Sequence, residues 1–413
     1  MSGPVVVAFS GGLDTSFLVP YLAERLGRPV ITVTVDTGGL SEEAREDLSR
    51  RSRALGAVAH RTVEARPAFF QETLRFLIYG NVRRGHVYPL CVGAERTLQA
   101  RKVAEVAREV GASAVAHGST AAGNDQVRFE VALRVLAPGV EVLAPIRDEG
   151  FTRAQETAFL RERGHEVSEE RAAYSINRGL WGCTIGGRET LDTVDPLPEE
   201  AWVLTRGAFD DLRPPLEVRI GFREGVPTSL DRKEMDPVPL IEALDALAAP
   251  RGIGRGIHLG DTIFGLKGRV AFEAPAATVI LEAHRELEKL VLTARQQRLK
   301  DQVAALYGDW VHEALALEPA CRDAEALLQS SQDRVTGEVR MRMWAGRMEV
   351  LGVSSPFSLK AASSGTYGEA AGEWTGADAR GFARMLAIPA MLHARAGTAA
   401  GATGGSERGG EAP

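Results

Sequence analysis

The sequence predicts an α/β fold, a parallel sheet covered by helices, followed by a mixed α+β domain and a C-terminal helix. Three observations predict it. The first half alternates β-branched apolar runs with charged amphipathic stretches, the pattern of strands joined by crossover helices. A Gly-Gly turn, "FSGGLDTS" (9–16), interrupts the first strand-to-helix passage. Beyond about residue 170 the alternation gives way to longer strands and one long helical run.

The elements follow in order. "VVVAF" (5–9) reads as a buried strand, and the helix after it ends near residue 26. Pro20 lies inside that helix and deprives the Ser16 carbonyl of its partner. "VITVTV" (30–35) is a strand, "SEEAREDLSRRSRALG" (41–56) a helix and "AVAHRTV" (57–63) a strand. Helical patterns cover 67–79 and 95–110, "SAVAHG" (113–118) is a strand, and "QVRFEVALRVL" (126–136) reads as another. Thr152 is placed as the N-cap of a helix to Arg163, with Glu156 near the capping-box position. A domain boundary is placed near 170, giving domains 1–170 and 171–375. The second contains strands in "LEVRIGF" (216–222) and "TIFGLKGRVAFEA" (262–274), one long charged helix over 277–315, and a hairpin over 338–353 turning at Ala345-Gly346. Thr375 caps a last helix, 377–388, in the segment 376–393, and the Gly/Ala-rich tail 394–413 is expected to be disordered.

Composition narrows the function. The 413 residues carry a net charge of −6 with basic residues spread along the chain, which argues against a nucleic-acid footprint and for small polar substrates. No apolar run approaches the roughly 20 residues of a membrane span and no signal-like start is present, so the expected location is the cytoplasm. Cys91, Cys183 and Cys321 have no paired spacing, which indicates neither a disulfide framework nor a metal site.

Two constellations carry chemistry. In "AFSGGLDTS" (8–16) a strand, a Gly-Gly turn and a helix N-terminus present unpaired N–H groups to one point, with hydroxyls from Ser10, Thr15 and Ser16. The lysine of a Walker loop is missing, so a phosphate is held by neutral donors. In "AHGSTAAGNDQVRFE" (116–130), Thr120 and Asn124 suit a carboxylate, Asp125 an ammonium and Arg128 a second anion, together a set for an amino acid. Both lie after strands, where open α/β sheets bind ligands.

The pattern S-G-G-x-D-[ST]-S resembles the pyrophosphate loop of the ATP pyrophosphatases, which split ATP into AMP and pyrophosphate. The longer sequence resembles the argininosuccinate synthase family: "VVVAFSGGLDTS", "GNDQVRFE", "YSINRGLWG", "EAPAATVILEAHRELEKLVLT", "DRVTGEVRMRMWAG" and "SPFSL" occur in the family's order over roughly residues 3–390. The resemblance implies a pyrophosphate-loop nucleotide-binding domain, a synthetase domain and a homotetramer tied by C-terminal helices. It implies that Mg2+-bound ATP adenylates the ureido oxygen of citrulline and that the amine of aspartate displaces AMP. A lyase of the argininosuccinate type would take the product. Carried over position by position, Ala8, Phe9, Ser10, Gly11, Gly12, Leu13, Asp14, Thr15, Ser16, Val35 and Gly118 form the ATP site. Asp14, Ser16 and Arg128 are the catalytic positions, and Thr120, Asn124 and Asp125 hold aspartate. Tyr88, Gly93, Arg96, Arg128, Ser175, Thr184, Asp261 and Phe272 line the acceptor site.

Departures concentrate on the acceptor side. The family's "YPLGTSLARP"-like segment reads "YPLCVGAERT" (88–97), with Val92-Gly93 in place of two hydroxyls and Arg96 retained. Thr184 replaces a serine, Asn177 and Gly179 replace an aspartate and an asparagine, Gly260 replaces a citrulline-contacting glutamate, and Phe272 replaces a tyrosine. A lysine of the second ATP loop is Ala122. Losing the glutamate, one hydroxyl and a phenol would weaken citrulline by on the order of 10³. The aspartate set is intact, so the favoured expectation is an AMP-forming C–N ligase with a ureido or amide acceptor other than citrulline. The alternative is an ordinary argininosuccinate synthase in which Asp261 replaces the glutamate. Sulfur transfer through Cys91 and Cys183, and an ATP-binding protein without turnover, are the remaining readings. Trp181 and Tyr174 are expected to pack or to line the pocket, and His117 to end a strand.

Overall fold

A computed structural model describes residues 3–167 and 174–403. The N-terminal sheet has five strands, β1 (Val5–Ala8), β2 (Val30–Asp36), β3 (Ala59–Glu64), β4 (Ala114–Ala116) and β5 (Glu141–Leu143), in the order β3-β2-β1-β4-β5. Every pair is parallel. Val5, Val6 and Val7 are fully buried because β1 is central and covered on both faces, which is why it reads as a continuous apolar run. The chain leaves β1 toward β2 on one side and later returns to β4 on the other, so a crevice opens at the carboxyl ends of β1 and β4.

The helices of this half are α1 (Leu13–Leu26), α2 (Glu42–Ala54), α3 (Arg66–Phe69) and α4 (Arg75–Gly80) with a π-turn between them at Phe70–Leu74, α5 (Arg96–Glu109), α6 (Asn124–Leu136), α7 (Pro145–Glu149) and α8 (Arg153–Glu162). Pro20 sits buried within a continuous α1. Ser41 caps α2 by accepting from the Ala44 N–H at 3.2 Å. The capping box of α8 is Thr152 with Gln155, one residue before the expected Glu156. The segment 126–136 is helical, not a strand: β4 and β5 are parallel neighbours, and a parallel pair needs a crossover, which α6 supplies. Its alternating apolar residues sit at spacings that also suit one side of a helix, and the topology decides between the two.

The second half builds two antiparallel sheets from β6 (Ser175–Gly179), β7 (Gly182–Gly186), β8 (Leu216–Arg223), β9 (Val226–Leu230), β10 (Lys233–Glu234), β11 (Arg255–Asp261), β12 (Lys267–Glu273), β13 (Gly337–Trp344) and β14 (Arg347–Ser354), ordered β10-β9-β8-β13-β14 and β11-β12-β7-β6. The β13–β14 hairpin turns at Ala345-Gly346 with φ of 42° and 76°, the left-handed pair its right-handed twist requires. Helices α9 (Pro237–Ala248), α10 (Pro275–Val291), α11 (Ala294–His312) and α12 (Pro319–Ser330) complete it. The expected single helix over 277–315 is two, because Leu292 is extended and the Thr293–Gln296 capping box starts α11.

Residues up to Phe357 form one compact unit. The expected boundary at 170 lies outside the described residues. Sheets divide around it but cores do not: Phe69, Leu77 and Tyr79 join the cluster that holds Leu240, Ile280 and Met341. A second unit begins at Ser358 and contains α13 (Leu359–Ala362) and α14 (Gly376–Thr403). Thr375 caps α14 together with Asp378. The helix continues through Pro389 to Thr403, past the expected stop at 388 and into the segment read as disordered, since Pro removes a single bond and the alanines that follow favour helix.

Candidate active site

The loop 9–12 leaves β1 and enters α1, whose N-terminus carries no side-chain cap. Gly11 has φ of 73°, and a Cβ there would collide with Leu48, so only glycine fits without strain. Ser10 and Thr15 face each other, with Oγ and Oγ1 3.2 Å apart. Arg51 clamps the loop from α2 through the Gly11 carbonyl at 2.6 Å. Ser16 Oγ is buried with no hydrogen-bond partner. Ala8 pairs with Val33, and Phe9 bonds to the same residue at 2.8 Å, so Val35 lies on the strand beside the loop. From the far side Gly118 packs against the helix start: a Cβ there would lie 3.1 Å from Asp14 and Thr15. The structure thus brings the two expected nucleotide loops together.

Behind the loop, Glu156 of α8 is almost completely buried against Asp14. Burial, and then the Asp14 charge, push its carboxyl up to about 8. The folded protein therefore holds a proton that the unfolded chain releases near pH 4.5. The contribution of this group to stability is fully present below that pH and is lost as pH rises toward about 8. Glu156→Gln, which keeps the neutral form, should flatten this slope; urea midpoints at pH 5 and 8 that fall equally in both proteins would contradict it.

Asn124, Asp125 and Arg128 stand on the first turns of α6, and Thr120 on the exposed turn before it. Asp125 bridges two nearly buried guanidiniums, accepting from Arg96 Nε and Arg128 Nη1, each at 2.9 Å. Burial alone would raise its pKa, but Arg96 and then Arg128 outweigh it and hold the carboxyl at about 2. Arg96 also donates to Glu95 and to Asn177, both at 2.9 Å. Arg128 donates to the His312 carbonyl at the end of α11, at 3.0 Å from Nε and 2.9 Å from Nη2. Gly93 leaves room for Arg128, since a Cβ would lie 3.3 Å from the guanidinium. Asn124 Oδ1 accepts from the Ile263 N–H at 2.9 Å, tying α6 to the turn between β11 and β12.

The acceptor-side residues converge in part. Tyr88 is buried, its ring 5.3 Å from Phe272, and Phe272 is paired with Thr184 across β12 and β7. Ser175 is exposed at the start of β6. Asp261 does not join them: it is half-exposed and paired with Lys267 at 2.6 Å. Successive strand residues point to opposite faces, so an inward Gly260 sends Asp261 outward, and the expectation that Asp261 replaces a glutamate at position 260 fails. The same alternation turns His258 inward, a residue the sequence reading passed over. Also missed are His312, which burial followed by Arg128 and Arg84 keeps neutral with a pKa of about 3, and Glu95, which burial raises to about 7 against Arg96. Glu95 had a visible signal in the altered "YPLCVGAERT". Gly179 makes room for it, since a Cβ there would collide with its carboxylate.

Cys91 and Cys183 are both fully buried. Burial, then each one's acidic surroundings (the Cys183 thiol for Cys91, Glu273 for Cys183), raises both thiols, Cys183 to about 12, which disfavours the thiolate that sulfur transfer needs. Trp181 is buried and donates to the Pro89 carbonyl at 3.0 Å, while Tyr174 donates to Glu189 at 2.6 Å. His117 directly follows β4, kept neutral by burial and then by Arg147 with a pKa of about 4.

Two family models match in tandem: the arginosuccinate synthase N-terminal HUP domain over residues 4–166 and the arginosuccinate synthase C-terminal domain over 174–393. Among similar curated proteins, argininosuccinate synthase of Methanocaldococcus jannaschii is 39% identical over 86% of this chain and 89% of its own. That of Xanthomonas campestris pv. campestris is 39% identical over 95% of this chain and 99% of its own, and that of Pyrobaculum aerophilum 37% over 95% and 98%. With the two domain models matched in tandem over 4–166 and 174–393, the chain belongs to the argininosuccinate synthase family.

Proposed function

We propose that this protein is an argininosuccinate synthase that joins L-citrulline to L-aspartate and converts ATP to AMP and pyrophosphate. The observation that carries this is the juxtaposition of the β1–α1 loop with Gly118 and the α6 cluster, inside a family match that spans nearly the whole chain. The preference for another acceptor gives way here, because relatives that align over 86–95% of the chain bear the synthase name.

In this reading the loop N–H groups and the hydroxyls of Ser10, Thr15 and Ser16 hold the departing pyrophosphate. The citrulline ureido oxygen attacks the α-phosphorus and expels it. The aspartate amine, oriented by Asp125 with Thr120 and Asn124 on its carboxylates, then attacks the adenylated carbon and displaces AMP. Positioning and fixed charge do the catalytic work. Mg2+ would enter with ATP as part of the substrate, held mainly by its phosphates as hard oxygen ligands. The ion would neutralise charge on the leaving pyrophosphate.

The reading includes a cytoplasmic homotetramer whose product passes to a lyase. Phe382, Met385 and Leu386 of α14 are each about two-thirds exposed, which supports a helix made for a partner copy. No described helix is long and apolar enough to cross a membrane. The test is AMP and argininosuccinate formation with Mg2+, ATP and aspartate, with and without citrulline, by the species recovered from gel filtration. Equimolar, citrulline-dependent products from a four-protomer species are expected. Intact ATP and aspartate binding without argininosuccinate would return the acceptor question to other ureas and amides, and a monomer would overturn the oligomer.

A further inference from the structure

His258 lies on β11, inward-facing, and is 8% exposed. Its ring stacks on Tyr88 at 5.5 Å with an interplanar angle of 19°, and Tyr88 in turn meets Phe272. Two glycines make room for it. A Cβ on Gly85 would lie 2.9 Å from Cε1, and a Cβ on Gly260 would lie 2.5 Å from Nε2. Position 260 therefore cannot carry a side chain while the imidazole is there, and the ring nitrogen occupies the start of the path such a side chain would take. His258 Nε2 is buried and has no hydrogen-bond partner. A buried polar nitrogen without a partner costs free energy unless something fills the vacancy.

We infer that His258 is a specificity-determining residue of the acceptor site, its Nε2 accepting a hydrogen bond from the α-amino group of the acceptor in place of a carboxylate at position 260. The inference rests on the proposed citrulline reading and deepens it. The two positions are coupled: glycine at 260 admits the ring, and the ring supplies an acceptor atom that glycine lacks. Burial, with Arg84 nearby, lowers the imidazole pKa and favours the neutral ring, whose Nδ1–H tautomer carries its lone pair on Nε2. A neutral imidazole recognises the amine by a directed hydrogen bond and not by opposite charge. Asp261 cannot provide one, because it points outward to Lys267.

The test compares wild type with His258→Gln and His258→Ala, using citrulline and 5-ureidopentanoate, which has the same ureido and carboxylate groups but no amine. Both variants should retain the wild-type KM for ATP and for aspartate. His258→Ala should raise KM for citrulline about tenfold or more, the scale of one hydrogen bond to a charged group, while KM for 5-ureidopentanoate stays unchanged. His258→Gln, whose amide oxygen can accept, should recover part of the difference. A wild type that uses citrulline while His258→Ala keeps its KM, or loses both acceptors equally, would overturn the inference alone. A wild type that neither binds nor consumes citrulline would overturn the proposed function and this inference with it.

Discussion

Asp125→Ala should yield a protein that folds with about 3 kcal/mol less stability and has no measurable ligase turnover. The carboxylate neutralises two guanidiniums at once, and both Arg96 and Arg128 are at least nine-tenths buried. Removing one partner of a buried pair typically costs ~3–5 kcal/mol because the other charge is stranded. The lower end applies here, since the Asp125 side chain is 34% exposed and water can partly replace it. Activity should fall for a second reason under the proposed function, because the same carboxylate orients the aspartate amine. Chemical denaturation and AMP release measure the two effects separately. An Asp125→Ala protein of wild-type stability would mean that Arg128 is held by the His312 carbonyl alone.

Gly11→Val should reduce turnover by about 10²–10³-fold, the loss seen when one donor aimed at developing charge is removed. The backbone at Gly11 is left-handed, where a β-branched residue is an outlier, and the new side chain would collide with Leu48 of α2. The loop must move, and its N–H groups move with it. Local strain of this kind costs roughly 1–3 kcal/mol, so the variant should remain folded and melt earlier than wild type. Turnover within threefold of wild type would show that the loop does not hold the reacting phosphate.

Much of this was legible in the sequence, and what was hidden has common causes. The "VVVAF" run and the "SGGLDTS" turn identify their elements because burial on both faces and positive φ each demand particular residue types. The region 126–136 misled because apolar spacing alone does not separate a strand from a helix, and the deciding fact, that β4 and β5 are parallel neighbours, is non-local. The split at Thr293 was written locally as Thr-x-x-Gln but was hidden by the apolar periodicity running across it. Of the candidate site, the two contiguous motifs, Ala8 to Ser16 and Thr120 to Arg128, were legible as segments, and the fold sets Gly118, just before the second, against the start of α1. Asp261 was misplaced and His258 overlooked for one reason: aligning a lost glutamate with Gly260 says nothing about which neighbours share its face. His312 lies 184 positions from Arg128, and only the fold joins them.

The bond between Asn124 Oδ1 and the Ile263 N–H has a consequence for how the substrates sense each other. One end of that side chain is committed to the β11–β12 turn, and under the proposed function its amide N–H groups hold the aspartate carboxylate. The strand leading into that turn carries His258 and Gly260. An aspartate that orders Asn124 also orders the turn, and a citrulline that orders the turn fixes Asn124 in advance. Linkage makes the effect reciprocal: whatever factor aspartate adds to citrulline affinity, citrulline must add to aspartate affinity. Under the proposed function, one amide thus lets the two amino-acid sites share a single free-energy term across the two halves of the chain.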